Sequence, residues 1–148
     1  MASRADRHDA VRPVDVAEEI AAAVRVLSRH RLGAVIVCDP IGAVEGGVVL
    51  DARVSRELFV ALFVPESLNQ LHRGAVIVRG DRVERAGVPF SWTDVVKRAA
   101  DLDSVASISV DENTGEIRVV DRNGHVELVG PDELPVVVFR RALEAGPR

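Results

Sequence analysis

The segment His72-Arg73-Gly74-Ala75 sets an arginine and two small residues at the mouth of the apolar run Val76-Ile77-Val78. A guanidinium stays protonated at neutral pH and presents a planar fork of donors. Arg73 is therefore suited to a phosphate, and it can neither accept a proton nor hold a divalent cation; the plainer reading is an exposed loop arginine. Gly74 and Ala75 let a ligand approach the backbone, or equally mark a loop that enters a strand. His72 is a lone histidine, which does not define a metal site. Asp111-Glu112-Asn113 leads into Thr114-Gly115, a composition that any tight turn wants. Lys97 and Arg98 lie on a stretch of helical spacing and form its solvated face. Cys38 ends an apolar run with no histidine near it in sequence, and reads as a buried strand residue rather than a nucleophile. A phosphate-loop pattern, a Cys/His cluster and a Ser-His-Asp arrangement are all missing.

The surrounding elements must position these residues. Asp15 caps a helix with Glu18 three positions on, and Val16, Ile20, Val24 and Leu27 recur at helical spacing up to about Arg31, with Gly33 as the exit. Ala34–Cys38 is a valine-rich strand, and Val48–Leu50 a short one. Ser55 caps a second helix that turns Leu58, Phe59, Leu62 and Phe63 inward and stops at Pro65. Residues 66–74 read as a polar loop, 75–79 as a strand, Gly80-Asp81 as a turn and 82–88 as a returning strand. Thr93 caps a third helix to about Leu102. Strands follow at 105–110, 116–120 and 125–129, the last pair around Asn123-Gly124, a strong hairpin signal. Pro131 opens a final helix carrying Leu134, Val138 and Leu143, with Pro135 tolerable only in its first turn.

This order is neither regular βα alternation nor all-β. It predicts an α/β fold: a mixed central β-sheet flanked by helices on both sides. The 148 residues suffice for one domain, expected over 15–145 after a tail at 1–14. Aromatic residues are only 3%, so valine, leucine, isoleucine and alanine fill the core. A net charge of −4 gives no electrostatic support for a nucleic-acid partner. A single cysteine forms no intrachain disulfide. With no apolar run of membrane-spanning length and no signal-peptide stretch, no membrane partner is expected and cytoplasmic residence is.

Four blocks resemble the diadenylate cyclase domain family, the nucleotide-binding domain of DNA-integrity scanning proteins. They are Leu27–Val37 (LSRHRLGAVIV), Gly47–Leu58 (GVVLDARVSREL), Leu71–Val83 (LHRGAVIVRGDRV) and Val110–Gly124 (VDENTGEIRVVDRNG). They lie in the family's order, and the resemblance spans roughly Asp15 to Leu143. It implies a mixed sheet wrapped by helices, two domains meeting face to face, and condensation of two ATP molecules into cyclic di-AMP with a divalent metal, Mg²⁺ or Mn²⁺. The family's hallmark motifs are Asp-Gly-Ala, whose aspartate helps activate the ribose hydroxyl, and Arg-His-Arg, which holds phosphates.

Both motifs are altered. Arg73-Gly74-Ala75 stands in place of Asp-Gly-Ala. The chain is short where Arg-His-Arg belongs, so that Lys97-Arg98 is its nearest remnant or the segment is deleted. The loop Glu66–Gln70 is longer than the family's and lacks its usual proline. By the resemblance, Gly74 and Ala75 match the pocket floor, and His72 a histidine that helps hold metal. Asp111-Glu112-Asn113 matches Ser-Glu-Glu, a turn tied to metal and phosphate, while Asp51 and Ser55 match a strand end and a helix cap. The expected nucleotide-binding set is Arg73, Gly74, Ala75, His72, Lys97, Arg98, Asp111 and Glu112, with no catalytic residue and no metal ligand. Three functions follow, in order: a catalytically inactive domain that binds ATP or a cyclic dinucleotide as a sensor, a pseudoenzyme that mediates interaction or dimerisation, and an active diadenylate cyclase. A homodimer is expected under each.

Overall fold

The computed structural model describes residues 13–40, 42–66, 68–89, 106–130 and 132–145. In chain order these form α1 (Val16–Arg29), β1 (Ala34–Cys38), β2 (Val48–Arg53), α2 (Arg56–Phe63), a 3-10 turn (Leu71–Arg73), β3 (Ala75–Arg79), β4 (Arg82–Val88), β5 (Ala106–Val110), β6 (Ile117–Asp121), β7 (Val126–Val129) and α3 (Pro135–Glu144). The seven strands make one mixed sheet in the order β2-β4-β3-β1-β5-β6-β7. β1 and β3 run parallel, with Ile36 opposite Val76 and Cys38 opposite Val78. Every other neighbouring pair is antiparallel, including β1 with β5, where Ala34 faces Val110.

The helices form where caps and apolar stripes coincide. The Asp15 carboxylate accepts the Glu18 amide at 3.1 Å, and Ile20, Val24 and Leu27 make a fully buried stripe along α1. The Ser55 hydroxyl accepts the Leu58 amide at 3.2 Å, and α2 buries Phe59, Leu62 and Phe63. Arg56 at the start of α2 donates through Nε to Glu19 of α1 at 3.0 Å, and this bond holds the Glu19 carboxyl below its ordinary range. Arg140 of α3 reaches the Asp15 carboxylate at 2.8 Å. All three helices join one core with the inward residues of the strands, among them Ala34, Ile36, Cys38, Val76, Val78 and Ile108. On the opposite face Val37, Val44, Ala75, Ile77 and Val88 form a smaller cluster.

The α/β class and the mixed sheet are as the residue pattern predicts. The expected helix from Thr93 to Leu102 lies outside the described residues, as do residues 1–12 of the expected tail. Several boundaries differ. β2 runs on to Arg53, and α1 stops at Arg29. The last helix begins at Pro135, which takes the first helical position where a missing N–H costs nothing. Leu134 is therefore its cap and is 51% exposed, rather than a core residue.

Phe59 is fully buried where α2 meets the core. Phe59→Ala should lower stability by about 3–5 kcal/mol, read as a shift in the denaturant midpoint; a loss below ~1 kcal/mol would contradict this packing.

Candidate functional site

Strand direction brings three separate segments to one end of the sheet. The parallel pair sets the starts of β1 and β3 side by side, and antiparallel β5 ends at the same place. There a cleft of about 640 Å³ opens. Its walls include Arg31, Leu32 and Gly33 before β1, His72, Arg73 and Gly74 before β3, Val110 at the end of β5 with Glu112 after it, and Phe63 at the end of α2 with Pro65 after it. A smaller recess of about 270 Å³ shares Val35, Val110 and Glu112 with it and adds Ser109, Asp111, Asn113 and Arg118.

The loop that carries Arg73 is built by a residue that the sequence reading passed over. Asn69 donates through Nδ2 to the Val64 carbonyl at 2.7 Å, closing the end of α2, and accepts the Leu71 amide at 3.0 Å. Its own carbonyl lies 2.6 Å from Nδ1 of His72. A carbonyl only accepts, so Nδ1 carries the proton and holds the ring to the loop. What read as a featureless polar loop at 66–74 therefore ends in a braced 3-10 turn.

Gly74 has a packing role that decides between its two readings. A Cβ there would stand 2.3 Å from the Gly87 carbonyl carbon, and a Cβ on Gly87 would stand 2.8 Å from Leu71 Cδ2. The backbones of the loop and β4 touch, and glycine at both places permits it. Gly74 thus serves the strand entry whatever else it contacts. Ala75 is fully buried beneath the cleft and does not line it.

The remaining expected residues are distributed as follows. Arg73 is exposed on the cleft wall and makes no ion pair among the described residues. Glu112 is exposed, with its side chain against Gly33, and is the only carboxylate among the described residues of the cleft. Asp111 lies in the adjoining recess, where its carboxylate accepts the Asn113 amide at 2.8 Å, the geometry of a turn. Lys97 and Arg98 lie outside the described residues. Asp51 pairs with Arg82 at 3.1 Å, and Ser55 caps α2, so both are structural. Cys38 is buried in β1, and burial pushes its thiol well above the ordinary range, which removes it as a nucleophile.

Arg31, Phe63 and Pro65 are cleft residues that the sequence reading did not single out. For Arg31 a signal existed: Leu27 and Leu32 are five apart, the spacing of the apolar pair that closes a helix end one residue beyond its cap.

These donors do not fit a divalent cation. Two guanidiniums and one histidine face a single carboxylate, and no group of three or more His, Cys, Asp or Glu is gathered among the described residues. The arrangement suits an anion instead.

The DAC family, described as DisA bacterial checkpoint controller nucleotide-binding, matches residues 21–128. The chain belongs to this family. Its DAC domain is 28% identical over 125 residues to a diadenylate cyclase of Listeria monocytogenes serotype 1/2a (strain 10403S), covering 79% of this chain and 45% of that protein. It is 38% identical over 83 residues to the cyclic di-AMP synthase CdaS of Bacillus subtilis (strain 168), covering 52% of this chain and 39% of that one. The chain thus spans less than half the length of these curated relatives. A crystal structure of a double mutant of DacA from Staphylococcus aureus superposes with a TM-score of 0.72 at 22% identity, over 88% of this chain and 96% of that one. A hypothetical membrane spanning protein from Bacillus cereus superposes with a TM-score of 0.68 at 22% identity, over 80% and 65%. At these identities the superpositions show the DAC fold alone. Among the described residues, no helix is long and apolar enough to cross a membrane.

The Gly74 contact has a measurable cost. Gly74→Ala should destabilise the domain by about 1–3 kcal/mol, the range for forcing an extra carbon into packed surroundings. Chemical denaturation reads this directly, and a variant as stable as the parent would contradict the backbone contact with Gly87.

Proposed function

We propose that residues 15–145 form a nucleotide sensor, which binds ATP or a cyclic dinucleotide in this cleft and does not condense ATP. One observation carries the reading. Arg73, exposed and without an ion pair among the described residues, stands on the cleft wall where the resemblance places the aspartate of Asp-Gly-Ala. A carboxylate there would take part in proton removal and metal holding. A guanidinium repels a metal and is never a base near neutral pH, yet it is a strong phosphate ligand. The substitution exchanges chemistry for binding. The lone carboxylate of the described wall, Glu112, supplies no base-and-metal arrangement by itself.

Phosphate binding here is a local effect. The chain carries a net charge of −4, so the attraction must come from side chains at the cleft. His72 lines the cleft and, with its Nδ1 proton donated to the Asn69 carbonyl, keeps Nε2 as its remaining polar atom. Cytoplasmic residence and a homodimer, in which two clefts face each other, belong to the same proposal.

Two measurements test it. Incubation with ATP and Mg²⁺ or Mn²⁺ should yield no cyclic di-AMP by mass spectrometry. Calorimetry should show ATP binding that Arg73→Ala weakens tenfold to a hundredfold, since a charge-assisted contact contributes roughly 1.5–3 kcal/mol; adenosine should lose far less. Product that disappears when the cleft is mutated would make the protein an active diadenylate cyclase. Failure of the parent protein to bind at millimolar nucleotide would leave an interaction module in place of a sensor.

A further inference from the structure

Among the described residues, three other than glycine adopt positive φ: Arg31 at 53°, Asp39 at 49° and Asp51 at 49°. Aspartate enters the left-handed region with help from its short polar side chain. Both aspartates also have partners, since Asp39 accepts the Gly80 amide at 2.8 Å and Asp51 accepts from Arg82 at 3.1 Å. Arg31 has neither advantage. Its side chain is long, and it makes no ion pair among the described residues.

The reason for the conformation lies in the backbone. The Arg31 amide donates to the Ser28 carbonyl at 3.1 Å, and the Leu32 amide to the Leu27 carbonyl at 2.8 Å. These two bonds are the paired closure of a helix C-terminus, in which the residue after the cap is left-handed and is usually Gly or Asn. The Ser28 hydroxyl meanwhile donates to the Gly115 carbonyl and ties this helix end to the β5–β6 turn. Arg31 therefore occupies a glycine position in a well-fixed frame, and it lines the same cleft as Arg73. A strained residue held by its surroundings at a site is evidence that the side chain, not the backbone, is what the position requires.

We infer that Arg31 is a second anion-binding residue of the cleft, placed by the closure of α1 to contact a ligand phosphate from the segment beside that of Arg73. The inference rests on the proposed nucleotide-binding reading and names the ligand class more closely. Two guanidiniums from separate segments match a ligand with more than one negative charge, so a triphosphate gains more from the pair than a monophosphate does. The one described carboxylate of the cleft, Glu112, packs against Gly33 on the β5 side of β1 and leaves positive charge in excess.

The test uses Arg31→Gly and Arg31→Asn, both suited to left-handed backbone, with ATP as the probe and Arg73→Ala alongside. Relief of strain should raise the melting temperature of Arg31→Gly by about 2–4 °C, while its ATP dissociation constant rises about tenfold. Arg31→Asn should lose affinity alike without loss of stability. Greater stability with weaker binding cannot come from unfolding, and a merely structural arginine would not produce it. ATP affinity within twofold of the parent in both Arg31 variants, while Arg73→Ala binds weakly, overturns the role of Arg31 and leaves the nucleotide reading intact. A lower melting temperature for Arg31→Gly removes the strain on which the inference stands. No ATP binding by the parent protein overturns the nucleotide reading and this inference together.

Discussion

The parallel pairing of β1 with β3 is the constraint on which the cleft depends. Strands that pair in parallel begin at the same end of a sheet, so the residues just before each become neighbours however far apart they are in sequence. Here that brings Arg31 to within reach of the cleft that also holds Arg73. Antiparallel β5 then ends where β1 begins and delivers Glu112 to the same edge. Valine-rich strands buried on both faces stabilise this arrangement by taking apolar surface out of water on either side of the sheet. The central strands are indeed almost wholly buried, with Val76, Ile77 and Val78 all at 0% exposure.

Local devices then fix what strand direction only gathers. The touching backbones of Gly74 and Gly87 set the depth of the loop on β4. Asn69 bridges the end of α2 to the 3-10 turn and to His72. Ser28 and the closure of α1 hold the neighbouring wall to the β5–β6 turn, where Gly115 leaves no room for a side chain, since a Cβ would lie 2.7 Å from the Ser28 carbonyl oxygen. Each wall is pinned by hydrogen bonds and backbone contact that, among the described residues, do not involve the two guanidiniums. The guanidiniums are thereby left to face the cleft, which is how a preorganised anion site is made.

Much of this was legible in the residues, for physical reasons. Caps at Asp15 and Ser55, the apolar stripe of α1 and the valine runs of β1 and β3 are local signals, and they placed the elements. Arg73 and Glu112 were singled out by motif position, since composition alone reads them as an exposed loop arginine and part of a tight turn; both line the cleft. Arg31 was missed because glycine is the ordinary mark of a helix exit, and Gly33 drew the boundary two residues too far. Ala75 was expected at the pocket floor from the resemblance; strand alternation turns it into the buried cluster on the sheet's other face instead. Asn69 looked like loop polarity, since its role lies in contacts with Val64, Leu71 and His72 that no periodicity announces. The final helix was set too early because two prolines compete there, and only Pro135 occupies a first helical position.

The protein joins a DAC fold to a cleft whose cations suit phosphate and whose described carboxylate is alone. The proposed nucleotide sits at this one edge of the sheet. Amide-resolved NMR during titration with ATP tests that most directly. The account predicts shift changes concentrated at 31–33, 72–74 and 110–112, from three segments remote in sequence and saturating together. Perturbations confined to other surfaces, or none at millimolar ATP, would contradict it.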